Sequence, residues 1–463
     1  MNHVFIQERS FYPRVLKIAL PIAFQGLITV GVNIMDTMML GRLNEVQISG
    51  SSLANEYIFL FQIACLGLGG GASVLTSRFW GMKDLHQVRK AITLMLRVML
   101  TIATAVMVFS ALCPGMILRL YTPDAQVIEK GTAYLRWSLP TYYLMGFTLT
   151  CTQMLRSVGQ VHIPLIAAIV AFAGNVFFNW MFIFGKLGAP RMEIAGAALG
   201  TVLARVLECS LVCGYMFFRD DRIRYRFKHL FMPCGDLVRE YVRISVPVLC
   251  SDMLLALGNS AIAIVIGHLG SAYVAAQAIS KMTLHLSTVM NQGLSQAASI
   301  ITGHTIGAGK RELAQKQGYG FWSLGIMVGL FASLLVMLIR DPLISFYNVS
   351  ETTRAIAQGM MTAVSVVVLF STTDSMLTKG VLRGGGDTRF LLVADVLFLW
   401  ILSVPLGYMA GFHWGLPPFW IYLCLKSDQV VKAILCIFRL RSKRWIKDVH
   451  SPNTANSATD KSE

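Results

Sequence analysis

The sequence has few charged residues for its length. Only 14% of its 463 residues are charged, whereas a soluble domain carries roughly 25%. Hydrophobic residues make up 55% of the chain, and they come in runs near the ~20 residues that a membrane-spanning helix needs. This composition excludes a water-soluble enzyme, a disordered chain and a collagen-like chain, and it indicates a polytopic membrane protein.

Motifs of covalent chemistry are also missing. The chain has no HExxH motif, no zinc-type spacing and no nucleophile elbow, and its nine cysteines show no CxxC spacing. The triplet at 384–386 is Gly-Gly-Gly, but no Gly-Lys-Ser/Thr of a phosphate-binding loop follows it. We therefore expect no enzymatic activity and no cofactor. Cys209 and Cys213 share a helix face, and we interpret them as small apolar residues.

Twelve apolar segments are long enough to be transmembrane helices. They are too long for the ~10-residue strands of a membrane barrel, so we expect an all-α membrane protein. The segments cover residues 15–40, 57–76, 91–112, 133–155, 163–185, 195–218, 244–267, 272–301, 320–339, 353–382, 390–412 and 416–438.

The net charge of +16 is concentrated in short connections between these segments. Basic residues cluster in every second connection, at 78–90, 222–228, 310–316 and 439–444. Because cytoplasmic loops carry the excess of Lys and Arg, we place these connections and both termini in the cytoplasm, in a multi-pass protein of the cell (inner) membrane. We expect a monomer in the lipid bilayer, with no nucleic-acid partner.

An internal repeat divides the chain into two halves of six spans each. A displacement of 226 residues brings Pro21 onto Pro247, and many other features match at the same displacement. Parallel halves of this kind are typical of transporters in which two bundles give alternating access to a central site. The further matches are Asn33 with Asn259, Gly67 with Gly293, Ser73 with Ser299, Gly81 with Gly307 and Leu120-Tyr121 with Phe346-Tyr347.

The repeat and the charge pattern together predict five regions. These are a cytoplasmic N-terminus at 1–14, an N-terminal six-helix bundle at 15–218, a basic cytoplasmic linker at 219–239, a C-terminal six-helix bundle at 240–445 and a cytoplasmic tail at 446–463. The tail is polar, and we expect it to be disordered.

Five segments of the sequence resemble the multidrug and toxic compound extrusion (MATE) family. They lie at 36–43, 155–160, 174–179, 196–201 and 382–389, and the resemblance extends from about residue 14 to residue 445. It is closest to the NorM-like branch. The resemblance implies a secondary antiporter that exports cationic or amphipathic drugs and toxic compounds in exchange for H⁺, Na⁺ or both, by rocker-type alternating access.

Asp36 is the main candidate for ion coupling. A charge within a transmembrane segment is costly, and such residues mark functional sites by default. Its repeat equivalent is Ile262, and this asymmetry favours function over a structural role common to both halves. The resemblance assigns this position to coupling-ion binding. The alternative is a solvated carboxylate near Arg42 at the helix end.

Asn175, Asn179 and Thr201 could complete a site around Asp36. The two asparagines are one helical turn apart, so they share a face. Neutral oxygens of this kind could hold Na⁺ together with the carboxylate. The alternative is hydrogen bonding between helices. Some relatives carry Asp where this chain has Asn179, so a sodium site here has only one carboxylate.

The C-terminal half supplies a second set of candidates. Asp374, with Phe370 one turn before it, resembles the cation site of NorM-like proteins. Asp252 lies in the seventh segment, whereas those relatives have a Glu where this chain has Leu255. Asp252 therefore either substitutes for that Glu or belongs to a weaker site.

Other intramembrane residues receive weaker assignments. Arg205 with Glu208, and Asp428 with Lys432, have the spacing of pairs within one helix. We assign no role to Lys281, His285 or Asp395. Flexible and aromatic side chains suit a pocket for planar cations, and the weak candidates for a substrate cavity are Met35, Met38, Tyr142, Phe147, Met290 and Phe370.

Two other functions compete with the antiporter hypothesis. Families of related fold flip lipid-linked saccharides, but such a protein would be expected to have a basic cavity, whereas the clear intramembrane residues here are acidic. A non-transporting membrane receptor would not need the internal repeat. Small organic cations are therefore the expected substrates.

Overall fold

A computed structural model describes residues 10–40, 45–347 and 349–447. Within these residues the chain is helical and contains no β-strand. The prediction of an all-α membrane protein with helices at twelve spans is confirmed. Residues 1–9, residues 41–44 with Arg42, and the tail from 448 onward lie outside the described residues.

The first half of the chain contributes six helical segments. The fourth is built from two helices, α5 and α6, and a short helix, α4, precedes it. The bounds are α1 Phe11–Leu40, α2 Glu45–Gly81, α3 Leu85–Leu112, α4 Pro114–Arg119, α5 Ala125–Trp137, α6 Leu139–Ser157, α7 His162–Phe184 and α8 Glu193–Gly214.

The second half repeats this plan. Its fourth and fifth segments contain widened π-helical turns, at Met376–Leu382 and Leu397–Ser403, and α15 and α16 form the sixth. The bounds are α9 Gly235–His268, α10 Ser271–Gly307, α11 Arg311–Phe346, α12 Glu351–Ser375, α13 Thr388–Val396, α14 Val404–Phe412, α15 Pro418–Leu425 and α16 Ser427–Arg441.

Nine helical stretches of the described chain are long and apolar enough to cross a membrane. The remaining three segments are α5–α6, α10 and α15–α16. Two of these are interrupted by a break, and α10 contains many Ser, Thr and Gln residues.

The predicted segments at 133–155 and 416–438 are helical, but each is divided into two helices. The first is divided at Ser138, because Pro140 in the first turn of α6 has no backbone N–H and cannot donate the hydrogen bond that would continue α5. The second is broken at Lys426. There the backbone N–H of Asp428 donates to Oγ of Ser403 at 2.6 Å, so a side chain from a neighbouring segment satisfies the start of α16.

The basic linker packs against α3. Nε of Arg89 donates to the carbonyl of Ile223 at 2.9 Å, and Oγ1 of Thr93 donates to the carbonyl of His229 at 2.8 Å. A 3₁₀ turn occupies Phe227–Phe231, and α9 already begins at Gly235. The linker therefore has a defined conformation as far as this helix.

The chain divides into two compact units. The first unit consists of the described residues of 24–76 and 84–245. The second consists of the described residues up to 23, together with 77–83 and those from 246 onward. Three of the four divisions fall inside α1, α2 and α9, and the fourth lies between α2 and α3. Those in α1 and α9 are close to Pro21 and to its repeat equivalent Pro247.

The second unit contains a symmetric helix contact that follows the repeat. A methyl group on Gly81 would collide with the carbonyl of His304, and one on Gly307 would collide with the carbonyl of Arg78. Arg78 and His304 are separated by the same 226 residues as Gly81 and Gly307. Equivalent glycines thus allow the ends of α2 and α10 to approach closely.

Candidate functional site

The carboxylate of Asp36 lies at one end of a chain of polar side chains in the first unit. Nδ2 of Asn179 donates to Oδ1 of Asp36 at 2.6 Å and approaches Oδ1 of Asn175 at 3.3 Å. Nδ2 of Asn175 in turn points to Oγ1 of Thr201 at 3.5 Å. The structure therefore brings together all four residues that the sequence proposed for the first site.

Close packing of α7 and α8 positions this chain. A methyl group on Gly196 would lie 2.6 Å from the carbonyl oxygen of Phe182, and one on Gly200 would collide with the side-chain oxygen of Asn179. Small residues at these two positions, one helical turn apart, let α8 approach the backbone of α7. This approach brings Thr201 to the asparagine face of α7.

One hydrogen-bond acceptor of this group of polar side chains has no donor among the described residues. Asn175 and Asn179 are buried, whereas Asp36 is partly exposed. Oδ1 of Asn179 has no hydrogen-bond partner within the described part of the chain. A buried acceptor without a partner is costly. Because Nδ2 of Asn179 faces Asp36, this oxygen becomes available to a cation beside Asp36 when the amide rotates.

Two further groups influence the same site. Nη1 of Arg205 pairs with Oε2 of Glu208 at 2.6 Å, so the predicted pair within α8 is present. The charge of Arg205 also acts on the Asp36 carboxylate. Tyr134, which the sequence analysis did not consider, is buried and interacts with Thr201, and its hydroxyl donates to Oδ1 of Asn55 at 3.2 Å.

The second unit holds a buried cluster of four charged residues. Nζ of Lys432 lies 3.6 Å from Asp374, 3.1 Å from Asp395 and 3.2 Å from Asp428. The interpretation of Asp428 and Lys432 as a pair confined to one helix is therefore incomplete. Each of the two added carboxylates comes from a different helix, α12 for Asp374 and α13 for Asp395.

Asp252 has a basic partner. Its Oδ1 accepts from Nη2 of Arg383 at 3.0 Å, and the two side chains are mostly buried. Neither the sodium hypothesis nor the proton hypothesis predicted this ion pair. The ion pair compensates the negative charge of Asp252.

The residues proposed for a substrate cavity differ in their surroundings. Tyr142 is fully buried, accepts a hydrogen bond from Ser110 at 3.1 Å and packs edge-on against Phe61. In contrast, Met38 is 63% exposed and Met290 is 44% exposed. Met35, Phe147 and Phe370 are partly exposed.

Buried carboxylates in a polytopic membrane protein are typical of ion-coupled transport proteins. The MatE family model matches residues 21–181 and 247–409, and the chain belongs to this family of multidrug efflux transporters. The two matched ranges begin 226 residues apart, so the match also follows the internal repeat.

Curated relatives are similar over nearly their whole length. A probable multidrug resistance protein NorM of Mesorhizobium japonicum is 27% identical over 448 residues, which cover 93% of each chain. A probable multidrug resistance protein NorM of Thermotoga maritima is 24% identical over 444 residues, which cover 93% of this chain and 92% of the relative.

Solved structures share the fold. A MATE protein crystallised in complex with MaL6 superposes with a TM-score of 0.84 at 18% identity, over 93% of this chain and 96% of that one. A MOP superfamily transporter from Pyrococcus furiosus, described as having a binding pocket of reverse polarity, also gives 0.84 at 18% identity, over 94% and 96%. The all-helical fold is therefore the fold of these transporters.

Proposed function

We propose that the protein exports cationic or amphipathic organic compounds in exchange for a coupling cation, by alternating access across the cell membrane with both termini in the cytoplasm. The observation that carries this proposal is the Asp36 carboxylate on a transmembrane helix, joined to Asn179 by a hydrogen bond of 2.6 Å. The similarity to proteins named as multidrug resistance proteins supports the substrate class.

Exchange follows when the substrate and the coupling ion compete for one negative charge. An ionised Asp36 attracts an organic cation, whereas a neutralised Asp36 offers no counter-charge. A ligand shifts a conformational equilibrium only through different affinities for its two states. If the outward-open state loads the ion and the inward-open state releases it, each cycle exports one cationic substrate.

The proton is the first candidate for the coupling ion. Asn179 presents an N–H group to Asp36, and an N–H group occupies a direction from which a metal ion would need an oxygen. Sodium is the second candidate, because Oδ1 of Asn179 has no partner in the described chain and would become a ligand if the amide rotated. Asn175 and Thr201 would then supply further oxygens.

The remaining candidates take subordinate roles. We assign Asp374 to a second ion-binding site in the second unit, and Asp252 to an ion pair with Arg383 that holds α9 to the end of the tenth segment. Among the cavity candidates, Met35 and Met38 flank Asp36 on α1 and are the ones we assign to substrate contact.

A binding measurement tests the role of Asp36. Purified protein is titrated with radiolabelled tetraphenylphosphonium at a series of pH values, for the wild type, Asp36→Asn and Asp36→Glu. The wild type should lose affinity as the pH falls, Asp36→Glu should retain this dependence, and Asp36→Asn should bind weakly at every pH. Glu129→Gln, which removes an exposed acid from α5, is the matched control and should behave like the wild type. Wild-type affinity and pH dependence in Asp36→Asn would exclude the assignment.

A further inference from the structure

The cluster around Lys432 carries more negative than positive charge. One ammonium faces three carboxylates, which gives a formal charge of −2 when every group is ionised. Their side chains are buried, with exposures of 4% for Lys432, 11% for Asp374, 8% for Asp395 and 4% for Asp428. Uncompensated buried charge is strongly destabilising, so the cluster favours the uptake of a positive charge.

Hydrogen bonds and ion-pair contacts account for five of the six carboxylate oxygens. Lys432 contacts one oxygen of each acid. The second oxygen of Asp395 accepts from Ser251, and that of Asp428 accepts from Ser403 at 3.2 Å. The sixth oxygen, Oδ1 of Asp374, is buried and has no partner among the described residues.

We propose that this cluster is a proton-binding site in which Lys432 is the resident cation and Oδ1 of Asp374 receives the proton. A hard metal ion needs several oxygen ligands at once, whereas a proton needs one. The ammonium of Lys432 occupies the centre that a metal ion would need. In agreement, no group of three or more His, Cys, Asp or Glu side chains in the described part of the chain is arranged to hold a metal ion.

The groups that act on Asp374 determine when the proton binds. The charged groups around Asp374 are Lys432, Asp395, Asp428 and the exposed Lys379. The thiol of Cys436 also faces the cluster. This inference rests on the proposed function, in which Asp374 belongs to a second ion-binding site, and it identifies Lys432 as the residue that selects a proton over a metal ion.

Infrared spectroscopy of the purified protein tests the proposal without transport. All spectra are recorded in an Asp36→Asn background, which removes the first site. A negative result for the Lys432 cluster can then be distinguished from a failure of the proposed function. A pH-difference spectrum should contain the carbonyl-stretch band of a protonated carboxylic acid, unchanged by sodium. Adding Asp374→Asn should remove one component of the band, which the double-difference spectrum against the background protein separates from the other carboxyl groups. Lys379→Met, which removes an exposed lysine on the same segment, should leave the band insensitive to sodium.

Substitution of Lys432 tests its role in selection. Lys432→Met frees three carboxylate oxygens, so sodium should now suppress the band, whereas Lys432→Arg should keep the wild-type response. If Lys432→Met does not fold, the proposal is tested by the sodium response of the background protein and by the Asp374→Asn spectrum. Suppression of the Asp374 component by sodium in the background protein, or identical bands with and without Asp374→Asn, would overturn the proposal.

Discussion

Nδ2 of Asn179 donates a hydrogen bond of 2.6 Å to the carboxylate of Asp36. The bond joins α7 to α1, and it places an uncharged donor beside the carboxylate. A hydrogen bond to a charged group contributes about 1.5–3 kcal/mol. Asn179 therefore stabilises ionised Asp36 without adding the negative charge that a metal ion would favour.

Replacing Asn179 with Asp should add a sodium site. Two adjacent carboxylates cannot both ionise without a cation between them, so the variant should bind sodium that the wild type binds only weakly. Radioactive sodium binding to purified protein measures this. Asn179→Leu also loses the hydrogen bond but adds no charge, and it should bind no sodium. Equal binding by Asn179→Asp and the wild type would refute the argument.

Gly200→Ala should disturb the first site through packing. The added methyl would collide with the side-chain oxygen of Asn179 and lie 3.0 Å from its backbone nitrogen. Overpacking of this kind costs about 1–3 kcal/mol, so the melting temperature and the affinity for tetraphenylphosphonium should both fall. Gly214→Ala in the same helix meets no atom within 4 Å and should change neither property adversely. A neutral Gly200→Ala variant would count against the close α7–α8 contact.

The Asp252–Arg383 pair should show strong coupling in a double-mutant cycle. Removing one partner of a buried pair leaves an uncompensated charge and costs roughly 3–5 kcal/mol. Asp252→Asn and Arg383→Gln should therefore each lower thermal stability, and the double variant should lose much less than the sum. Additive losses would show that the 3.0 Å contact contributes little.

Trp445 should be required for stability of the second unit. Its side chain is fully buried, and Nε1 donates to Oε1 of Gln315 at 2.8 Å. Trp445→Ala should cost about 3–5 kcal/mol, and Trp445→Phe, which loses mainly the hydrogen bond, about 1 kcal/mol. Thermal unfolding in detergent measures both. Trp414→Ala is the control, because Trp414 is 51% exposed. Equal losses at positions 445 and 414 would contradict this assignment.

The sequence was sufficient to predict the repeat, the helical segments and the proximity of Asp36, Asn175, Asn179 and Thr201. Hydrophobic runs give the length of a helix, and the one-turn spacing of Asn175 and Asn179 places them on one face. The break between α15 and α16 could not be predicted in the same way. The N–H of Asp428 in the first turn of α16 is satisfied by Ser403, which lies more than twenty residues earlier in the chain.

The charge cluster was missed for a similar reason. Helical periodicity relates Asp428 to Lys432, but it says nothing about Asp374 and Asp395, which reach Lys432 from other helices. The sequence did contain one indication, which was the number of unpaired acids. Three acids in apolar segments of the second half had no partner assigned within their own helix, namely Asp252, Asp374 and Asp395, and two of them converge on one lysine.

Transport in liposomes tests the central claim of cation-coupled export most directly. Purified protein is reconstituted in liposomes that contain a fluorescent cationic dye, and a proton gradient and a sodium gradient are applied separately. We predict dye movement against its own gradient when protons flow the opposite way, with little response to sodium, and no driven movement in Asp36→Asn. Movement driven by sodium alone would assign Asn175, Asn179 and Thr201 as metal ligands. Absence of dye movement under both gradients would contradict the account.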